Sequence, residues 1–120
     1  MAPAASRIAI FGQFWPYYVG EHSKALTRWL HLAGTLGGSV ALVVMIAAGY
    51  GRYFLLALIY AYGLAWIGHF FVEKNQPATF KYPLWSLAAD YKMCALMLLG
   101  RMDREVHKII PARRLDHELL

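Results

Sequence analysis

Apolar residues dominate the middle of the chain, and Arg52 is the only Lys, Arg, Asp or Glu from Trp29 to Val72. A Gly-Tyr-Gly-Arg turn divides this stretch into two runs, and each run is long enough for a helix to cross a hydrocarbon layer of roughly 30 Å. The pattern predicts an all-α integral membrane protein built on a helical hairpin, with transmembrane helices over residues 24–50 and 53–73.

Small residues share one face of the first predicted transmembrane helix, at Gly34, Gly37, Gly38 and Ser39. In membranes, such faces allow two helix backbones to approach each other closely. We therefore expect the second transmembrane helix to pack against this face.

The segment before the hairpin is apolar and aromatic but short. Within residues 8–19, Pro16 removes a backbone donor and would break or kink a helix. We expect this segment to lie at the membrane interface, with its aromatic rings in the belt where lipid meets water. The aromatic residues expected in that belt are Trp15, Tyr17, Tyr18 and Trp66.

Two further elements follow the hairpin. Residues 83–102 predict a third helix that is packed on the hairpin or partly inserted, because Asp90 and Lys92 would each cost roughly 2.5–3.5 kcal/mol if they faced lipid at the bilayer centre. Residues 103–120 predict a polar, surface-associated tail whose helix ends near Pro111. Together these elements form a single membrane domain over residues 1–120.

Composition supports this interpretation. With 59% hydrophobic residues among 120, the chain is too apolar for an ordinary soluble domain, and its core is completed by lipid or by copies of itself in a homo-oligomer. The net charge of +5 forms no solvated basic stripe, which indicates membrane lipids and no nucleic acid as partners. Lysines and arginines are concentrated beside the open ends of the hairpin, which predicts that these ends lie on the cytoplasmic side.

Histidines gather at those open ends. His31 lies about 20 residues before the turn and His69 about 18 after it, so at about 1.5 Å per residue the two imidazoles lie within roughly 3 Å of the same depth. His22 is nine residues before His31. It can join the same site only if it lies on a loop before the helix, whose predicted N-cap is Ser23.

Glu73 lies four residues after His69, so the two side chains share one face of an α-helix. Together with His22 and His31 they match the ligand sets of non-haem iron(II), manganese or zinc. The simpler alternative is that each histidine only forms a hydrogen bond at the interface. His107 and His117 belong to the polar tail, where we expect them to be solvated.

Two more carboxylates lie near this group. For Glu21 the alternatives are a metal ligand, a partner that orients an imidazole, and a surface pair with Arg28; we rank the orienting partner first. Asp90 is either a second such partner or one half of a salt bridge in the third helix. The chain has no Gly-rich phosphate loop, which excludes nucleotide-dependent enzymes. It also has no nucleophile elbow of the kind found in hydrolases.

Several strings resemble one family of small membrane proteins, named for the metabolism of phytosphingosine to odd-numbered fatty acids. The similar strings are Phe14-Trp15-Pro16-Tyr17-Tyr18, Glu21-His22, Leu30-His31 and the block from Trp66 to Leu87. The resemblance implies an iron(II)-dependent dioxygenase that uses O2 and histidine ligands to shorten 2-hydroxy fatty acids by one carbon. The positions that match the family's histidines and its following acid are His22, His31, His69 and Glu73.

The chain also departs from the enzyme-type members of that family. They carry a further histidine where this chain has Glu21, and an asparagine where it has Thr27. The chain is closer to the short bacterial branch, which implies a bacterial inner membrane.

The leading hypothesis is therefore a membrane-embedded iron(II) dioxygenase with catalytic His22, His31 and His69 and with Glu73 as a ligand or an orienting partner. The residues expected to attract the carboxylate of a fatty acid substrate are Arg28, Lys74 and Lys81. Two rival hypotheses remain: a haem protein with imidazoles as axial ligands, and a non-catalytic lipid-binding or assembly protein.

Overall fold

The computed structural model describes residues 7–118, and the side chains of residues 7–110. Every regular element in this part of the chain is helical, which confirms the predicted all-α fold. The longer elements are α1 (Phe11–Glu21), α2 (Ala25–Ala47), α3 (Phe54–Ile67), α4 (Pro83–Leu98) and α5 (Met102–Glu118). The shorter ones are a 3₁₀ turn (Gly51–Tyr53), a π-helical turn (Gly68–Glu73) and a second 3₁₀ turn (Ala78–Phe80).

Helices α2 and α3 form the predicted hairpin. Gly49 has a φ of 85°, a left-handed conformation that favours glycine, and it ends α2 at the predicted turn. The predicted small-residue face lies at the helix crossing. A Cβ on Gly34 would be 2.7 Å from the carbonyl oxygen of Ala61, and one on Gly38 would be 3.0 Å from the Ala61 Cβ. The close approach of the two backbones therefore requires glycine at both positions.

Two stretches of the described chain are long and apolar enough to cross a membrane, Ala25–Ala47 and Gly51–Glu73. Within the most apolar 18-residue segment of each stretch, only 17% is buried. Val43 and Ile59, for example, are 65% and 66% exposed. Apolar surface this extensive marks a region that contacts other proteins or lipid.

The structure departs most from the sequence prediction at α1. This helix runs continuously through Pro16, which does not break it. Phe14, Trp15 and Tyr18 are buried and face the other helices, so the assignment of Trp15 and Tyr18 to an interfacial belt is wrong. Their spacing of three to four residues gives α1 an apolar face, and burial of that face offsets the one hydrogen bond that Pro16 removes.

Helix α4 packs against α2 and α1 and buries Ser86, Ala89 and Met93, as expected for a packed third helix. It ends at Leu98, earlier than predicted, and Gly100 follows with a left-handed φ of 71°.

Helix α5 covers most of the predicted tail. The predicted end near Pro111 is wrong, because α5 continues to Glu118. A proline inside a helix removes one backbone hydrogen bond without having to end the helix. Residues 119–120 of the predicted tail, like residues 1–6 of the predicted domain, lie outside the described residues.

Candidate metal centre

Three buried histidines converge at the end of the hairpin that lies away from its turn. His22 follows α1, His31 lies in α2 and His69 lies in the π-helical turn. The three residues are 1%, 3% and 2% exposed. Their ring centroids are 4.3, 4.5 and 5.0 Å apart, and one ligand atom from each lies within 4.8 Å of the other two. The structure thus brings together the three histidines singled out in the sequence.

The break between α1 and α2 allows His22 to join this group. His22 is the C-cap of α1, and Lys24 is the N-cap of α2. Because the chain changes direction between these caps, His22 is free of the helical register that would turn it away from His31. It lies on the loop before the helix, as the shared site requires.

Hydrogen bonds to backbone carbonyls fix the tautomers of His22 and His31. Nδ1 of His22 lies 2.7 Å from the carbonyl oxygen of Tyr18. Nδ1 of His31 lies 3.3 Å from the carbonyl oxygen of Thr27. A carbonyl oxygen only accepts, so each Nδ1 carries the proton and donates. In both rings the Nε2 lone pair is left free.

Asn75 orients the third histidine. Its amide nitrogen donates to the carbonyl oxygen of Glu21 at 3.1 Å, which turns its Oδ1 towards His69. Nδ1 of His69 then donates to that Oδ1 at 2.7 Å. All three rings therefore have a protonated Nδ1 held by an oxygen, the usual arrangement around a metal-bound histidine.

The free nitrogens face one another. Nε2 of His22 and Nε2 of His31 are 3.0 Å apart, and two lone pairs repel at that distance unless a cation lies between them. Burial, with the neighbouring His31 and His69 adding to it, lowers the pKa of His22 well below its ordinary value, which disfavours a proton as that cation. A separation of about 3.0 Å suits two ligands at right angles, each about 2.1 Å from a metal. The donor set therefore fits a metal ion.

The cavity beside these rings is small, about 10 Å³, which is room for roughly one water-sized sphere. That space suits one ion and is far too small for a porphyrin. The site geometry therefore disfavours the haem hypothesis.

Glu73 lies outside the histidine group. Its Oε1 accepts a hydrogen bond from Ser23 Oγ, and its Oε2 accepts one from the backbone N–H of Lys24, both at 2.6 Å. Glu73 thus caps the N-terminus of α2 from another element, and the predicted N-cap Ser23 is replaced by Lys24. The cause is the π-helical turn, whose wider winding needs more than four residues per turn and so carries Glu73 off the face of His69.

Arg28, expected to attract the substrate carboxylate, is 6% exposed and bound to the backbone. Its Nη1 donates to the carbonyl oxygens of His22 and Ser23 at 2.8 and 2.9 Å. Its Nη2 lies 3.8 Å from Asp103, a carboxylate that is well exposed. The contacts of Arg28 hold the loop that carries His22.

The other predicted cations are exposed and do not line the histidine cavity. Lys74 follows the π-helical turn in a left-handed conformation, with a φ of 60°. The carbonyl oxygen of Lys81 accepts a hydrogen bond from Arg7. His107 is exposed on α5, as expected, and the side chain of His117 lies outside the described residues.

Asp90 lies at the edge of the histidine group. Its Oδ1 accepts a hydrogen bond from the Tyr18 hydroxyl and lies 4.0 Å from Nε2 of His31. Burial raises the pKa of Asp90 to about 6, and the hydrogen bond from Tyr18 opposes that rise. Asp90 is the carboxylate that faces the free nitrogens.

Sequence reasoning missed two residues of the site. Asn75 gave a usable signal, since a metal-binding histidine needs an oxygen partner for its Nδ1 and Asn75 is close in sequence. Ser86 gave none. It is 2% exposed, it lines the histidine cavity, and its hydroxyl has no hydrogen-bond partner within the described part of the chain.

Comparison with known proteins adds one finding to this geometry. A family model described as Mpo1-like, 2-hydroxy-palmitic acid dioxygenase Mpo1-like, matches residues 8–102. The match includes all three histidines and every residue named here as orienting them. Neither the curated proteins nor the solved structures gave a match.

Proposed function

Because the chain belongs to the Mpo1-like family, we propose that it is a membrane-embedded, iron(II)-dependent dioxygenase that shortens 2-hydroxy fatty acids by one carbon. One observation supports this most directly: three buried imidazoles each bring one ligand nitrogen within 4.8 Å of the other two, and the free Nε2 atoms of His22 and His31 are 3.0 Å apart. His22, His31 and His69 would hold a metal ion through three neutral nitrogen atoms, the kind of donor that non-haem iron oxygenases use.

The proposed reaction balances without an added reductant. O2 cleaves the bond between C1 and C2 of the 2-hydroxy acid. C2 becomes the carboxyl carbon of the shortened acid, C1 leaves as CO2, and the remaining atoms form one water. Iron held by the three histidines would supply the activation of O2 and Lewis-acid binding of the substrate.

The residues of the chain hold and shield that site. His22, His31 and His69 are the proposed catalytic ligands, and the acceptors on their Nδ1 atoms keep the rings in place. Asp90 is the nearest carboxylate that can accept a hydrogen bond from the substrate hydroxyl. Burial of all three rings excludes bulk water, which strengthens the electrostatic contacts inside.

The predicted cations have separate roles in this proposal, and Arg28 positions the His22 loop. The backbone carbonyl oxygen of Glu21 positions Asn75. Lys74 and Lys81 are exposed near the same end of the hairpin, where they would attract anionic head groups and the substrate carboxylate.

We place the hairpin in the bacterial inner membrane with the histidine end on the cytoplasmic side. The support is the charge bias, since Arg52 is the one cation in the turn whereas lysines and arginines flank the other end. Bilayer lipids would then cover the exposed apolar side chains of α2 and α3.

The test is turnover by the purified full-length protein. The protein is loaded anaerobically with iron(II), given 2-hydroxypalmitate and O2, and assayed for pentadecanoate and for bound iron. We expect product from the wild type and from His107→Ala, which alters an exposed histidine outside the group of three, and none from His69→Ala.

Equal product from His69→Ala would overturn the proposal. Failure of the wild type to bind any metal would also overturn it, and would favour the non-catalytic lipid-binding hypothesis. In that case, alanine at all three histidines would leave function unchanged.

A further inference from the structure

An apolar groove runs along the hairpin and adjoins the histidine cavity. It has a volume of about 110 Å³ and lies among α2, α3 and α4. Tyr62, Ala65 and Asp90 line both the groove and the histidine cavity, so the two spaces adjoin at these three residues. The walls of the groove are formed chiefly by Gly38, Leu42, Ala57, Leu58, Ala61 and Leu87.

The groove changes in polarity along its length. Its polar groups include Asp90 beside the histidines and a hydrogen bond of 2.6 Å between the hydroxyls of Ser39 and Tyr91, which ties α2 to α4. Beyond these, towards the turn, its walls are alkyl side chains. Leu42 is 11 residues from His31, a rise of about 16 Å along α2. The groove therefore suits a ligand with a polar head at the histidines and a long apolar tail.

Ser86 supplies an independent indication of a ligand in the histidine cavity. Its buried hydroxyl lacks a hydrogen-bond partner within the described chain. Leaving a buried polar group without a partner is unfavourable, so such a group commonly marks the place of a ligand or a water. Ser86 lies one helical turn before Asp90 on α4, and both line the cavity.

We infer that this groove is the acyl-chain site of the substrate, and that the Ser86 hydroxyl binds one oxygen atom from the polar head of a 2-hydroxy acid, which is what the water-sized histidine cavity admits. This inference rests on the proposed function for the identity of the head group. The occupant is a single unbranched acyl chain, with its carboxyl end at the histidines and its methyl end near Leu42 and Leu58.

Photolabelling tests the groove without turnover. A 2-hydroxypalmitate with a diazirine at its methyl end is bound to the metal-free, full-length protein in lipid nanodiscs, irradiated and mapped by mass spectrometry. We expect adducts on Leu42, Leu58 and their neighbours in the groove, and we expect excess unlabelled 2-hydroxypalmitate to remove them. A phospholipid with the same diazirine should label the outward residues Val43 and Ile59 instead.

A paired substitution tests chain length. Leu42→Trp fills the far end of the groove, whereas Val43→Trp adds the same bulk at the next residue, which is 65% exposed and does not line the groove. We expect Leu42→Trp to lower kcat/KM for 2-hydroxypalmitate by about tenfold or more and to spare the shorter 2-hydroxydecanoate. Val43→Trp should leave both values close to wild type.

Ser86→Ala tests the head group. Loss of one hydrogen bond should weaken binding of the diazirine probe by about two- to tenfold, with bound iron unchanged. Unchanged probe affinity would remove Ser86 from the inference.

These outcomes separate the groove from the proposed reaction. Groove adducts without any pentadecanoate would support the acyl site and overturn the dioxygenase. Turnover with adducts spread over outward residues, or equal effects of the two tryptophans, would overturn the groove and leave the dioxygenase standing. Adducts that only phospholipid displaces would identify a bilayer lipid as the occupant, which also overturns the inference.

Discussion

The two ends of the hairpin are built differently. At the histidine end, α1, α4 and α5 pack around the hairpin and bury aromatic, imidazole and guanidinium groups together. At the turn end, Ala57 is the one buried residue between residues 43 and 60. The histidine end therefore contains a buried core in which most buried polar side chains are hydrogen-bonded. The turn end exposes apolar side chains that lipid or another protein would have to cover.

This contrast separates two sources of stability. The histidine end is held by hydrogen bonds that join distant elements, such as Ser23 to Glu73 and Trp15 to Glu105. Between its two ends, the hairpin is held by close backbone packing at Gly34 and Gly38. The two ends should therefore respond differently to substitution, and the following predictions test that difference in order of expected effect.

The largest effect is expected at the helix crossing. Gly34→Leu places a Cβ 2.7 Å from the Ala61 carbonyl oxygen, a backbone atom that cannot move aside easily. We expect a loss of about 4 kcal/mol or more in the free energy of unfolding, enough to prevent recovery of folded protein. Size-exclusion chromatography and thermal unfolding measure this. Gly63→Leu is the control, because a Cβ there meets nothing within 4 Å; similar behaviour of both variants would contradict the proposed crossing.

Metal removal should have the second largest effect, a loss of stability at the histidine end. An ion present at about 100 times its Kd stabilises the folded state by about 2.7 kcal/mol. We expect a chelator to lower the Tm of the wild type and of His107→Ala, and to leave the Tm of His31→Ala unchanged. A chelator effect that persists in His31→Ala would place the ion elsewhere.

Glu73, at the end of the π-helical turn, holds the start of α2. Its removal should lower the free energy of unfolding by less than metal removal does. Glu73→Ala leaves Ser23 and the Lys24 N–H without their acceptor, so we expect a loss of about 1–3 kcal/mol by chemical denaturation. Glu73→Gln keeps one acceptor oxygen and should lose less. Bound iron should be retained in Glu73→Gln, and its loss there would make Glu73 a metal ligand.

A single hydrogen bond at the histidine end should contribute less to the free energy of unfolding than Glu73 does. In Trp15→Phe the indole donor to Glu105, at 2.8 Å, is lost while the aromatic ring remains. We expect a loss of about 1 kcal/mol in unfolding free energy. Trp29→Phe, at a residue that is 59% exposed, should show almost none. Equal losses in the two variants would show that the hydrogen bond to Glu105 does not determine the effect.

The smallest effect is expected at the turn end in detergent. Ile59→Ser alters a side chain that is 66% exposed, so the free energy of unfolding in micelles should change by less than about 0.5 kcal/mol. A loss of several kcal/mol would show that Ile59 is covered by protein, as in a homo-oligomer. Measuring the molar mass of the protein–detergent complex by light scattering would then identify that assembly.

The sequence was informative where regular geometry decides the structure. Helical rise placed His31 and His69 at one depth, and small residues on one face marked the crossing at Gly34 and Gly38. The sequence was uninformative where the backbone departs from a regular α-helix. The i, i+4 rule assumed an α-helix at His69 and Glu73, whereas the chain forms a π-helical turn there.

Tertiary packing explains the remaining differences. Aromatic residues such as Trp15 and Tyr18 suit both a membrane interface and a protein core, and only their neighbours on α4 and α5 decide between the two. Likewise, a cation beside a membrane helix suggests an anion site, but Arg28 is occupied by the carbonyl oxygens of a loop whose path no local pattern predicts.

The π-helical turn makes the spacing from His69 to Asn75 sensitive to length. A turn of this kind corresponds to an α-helix with one residue inserted. Deleting a single residue there would restore regular winding and rotate everything downstream by about 100°. One such deletion would separate Glu73 from the start of α2 and Asn75 from the imidazole that it orients. Among descendants of this chain, a gap in that short stretch should therefore be far rarer than a substitution.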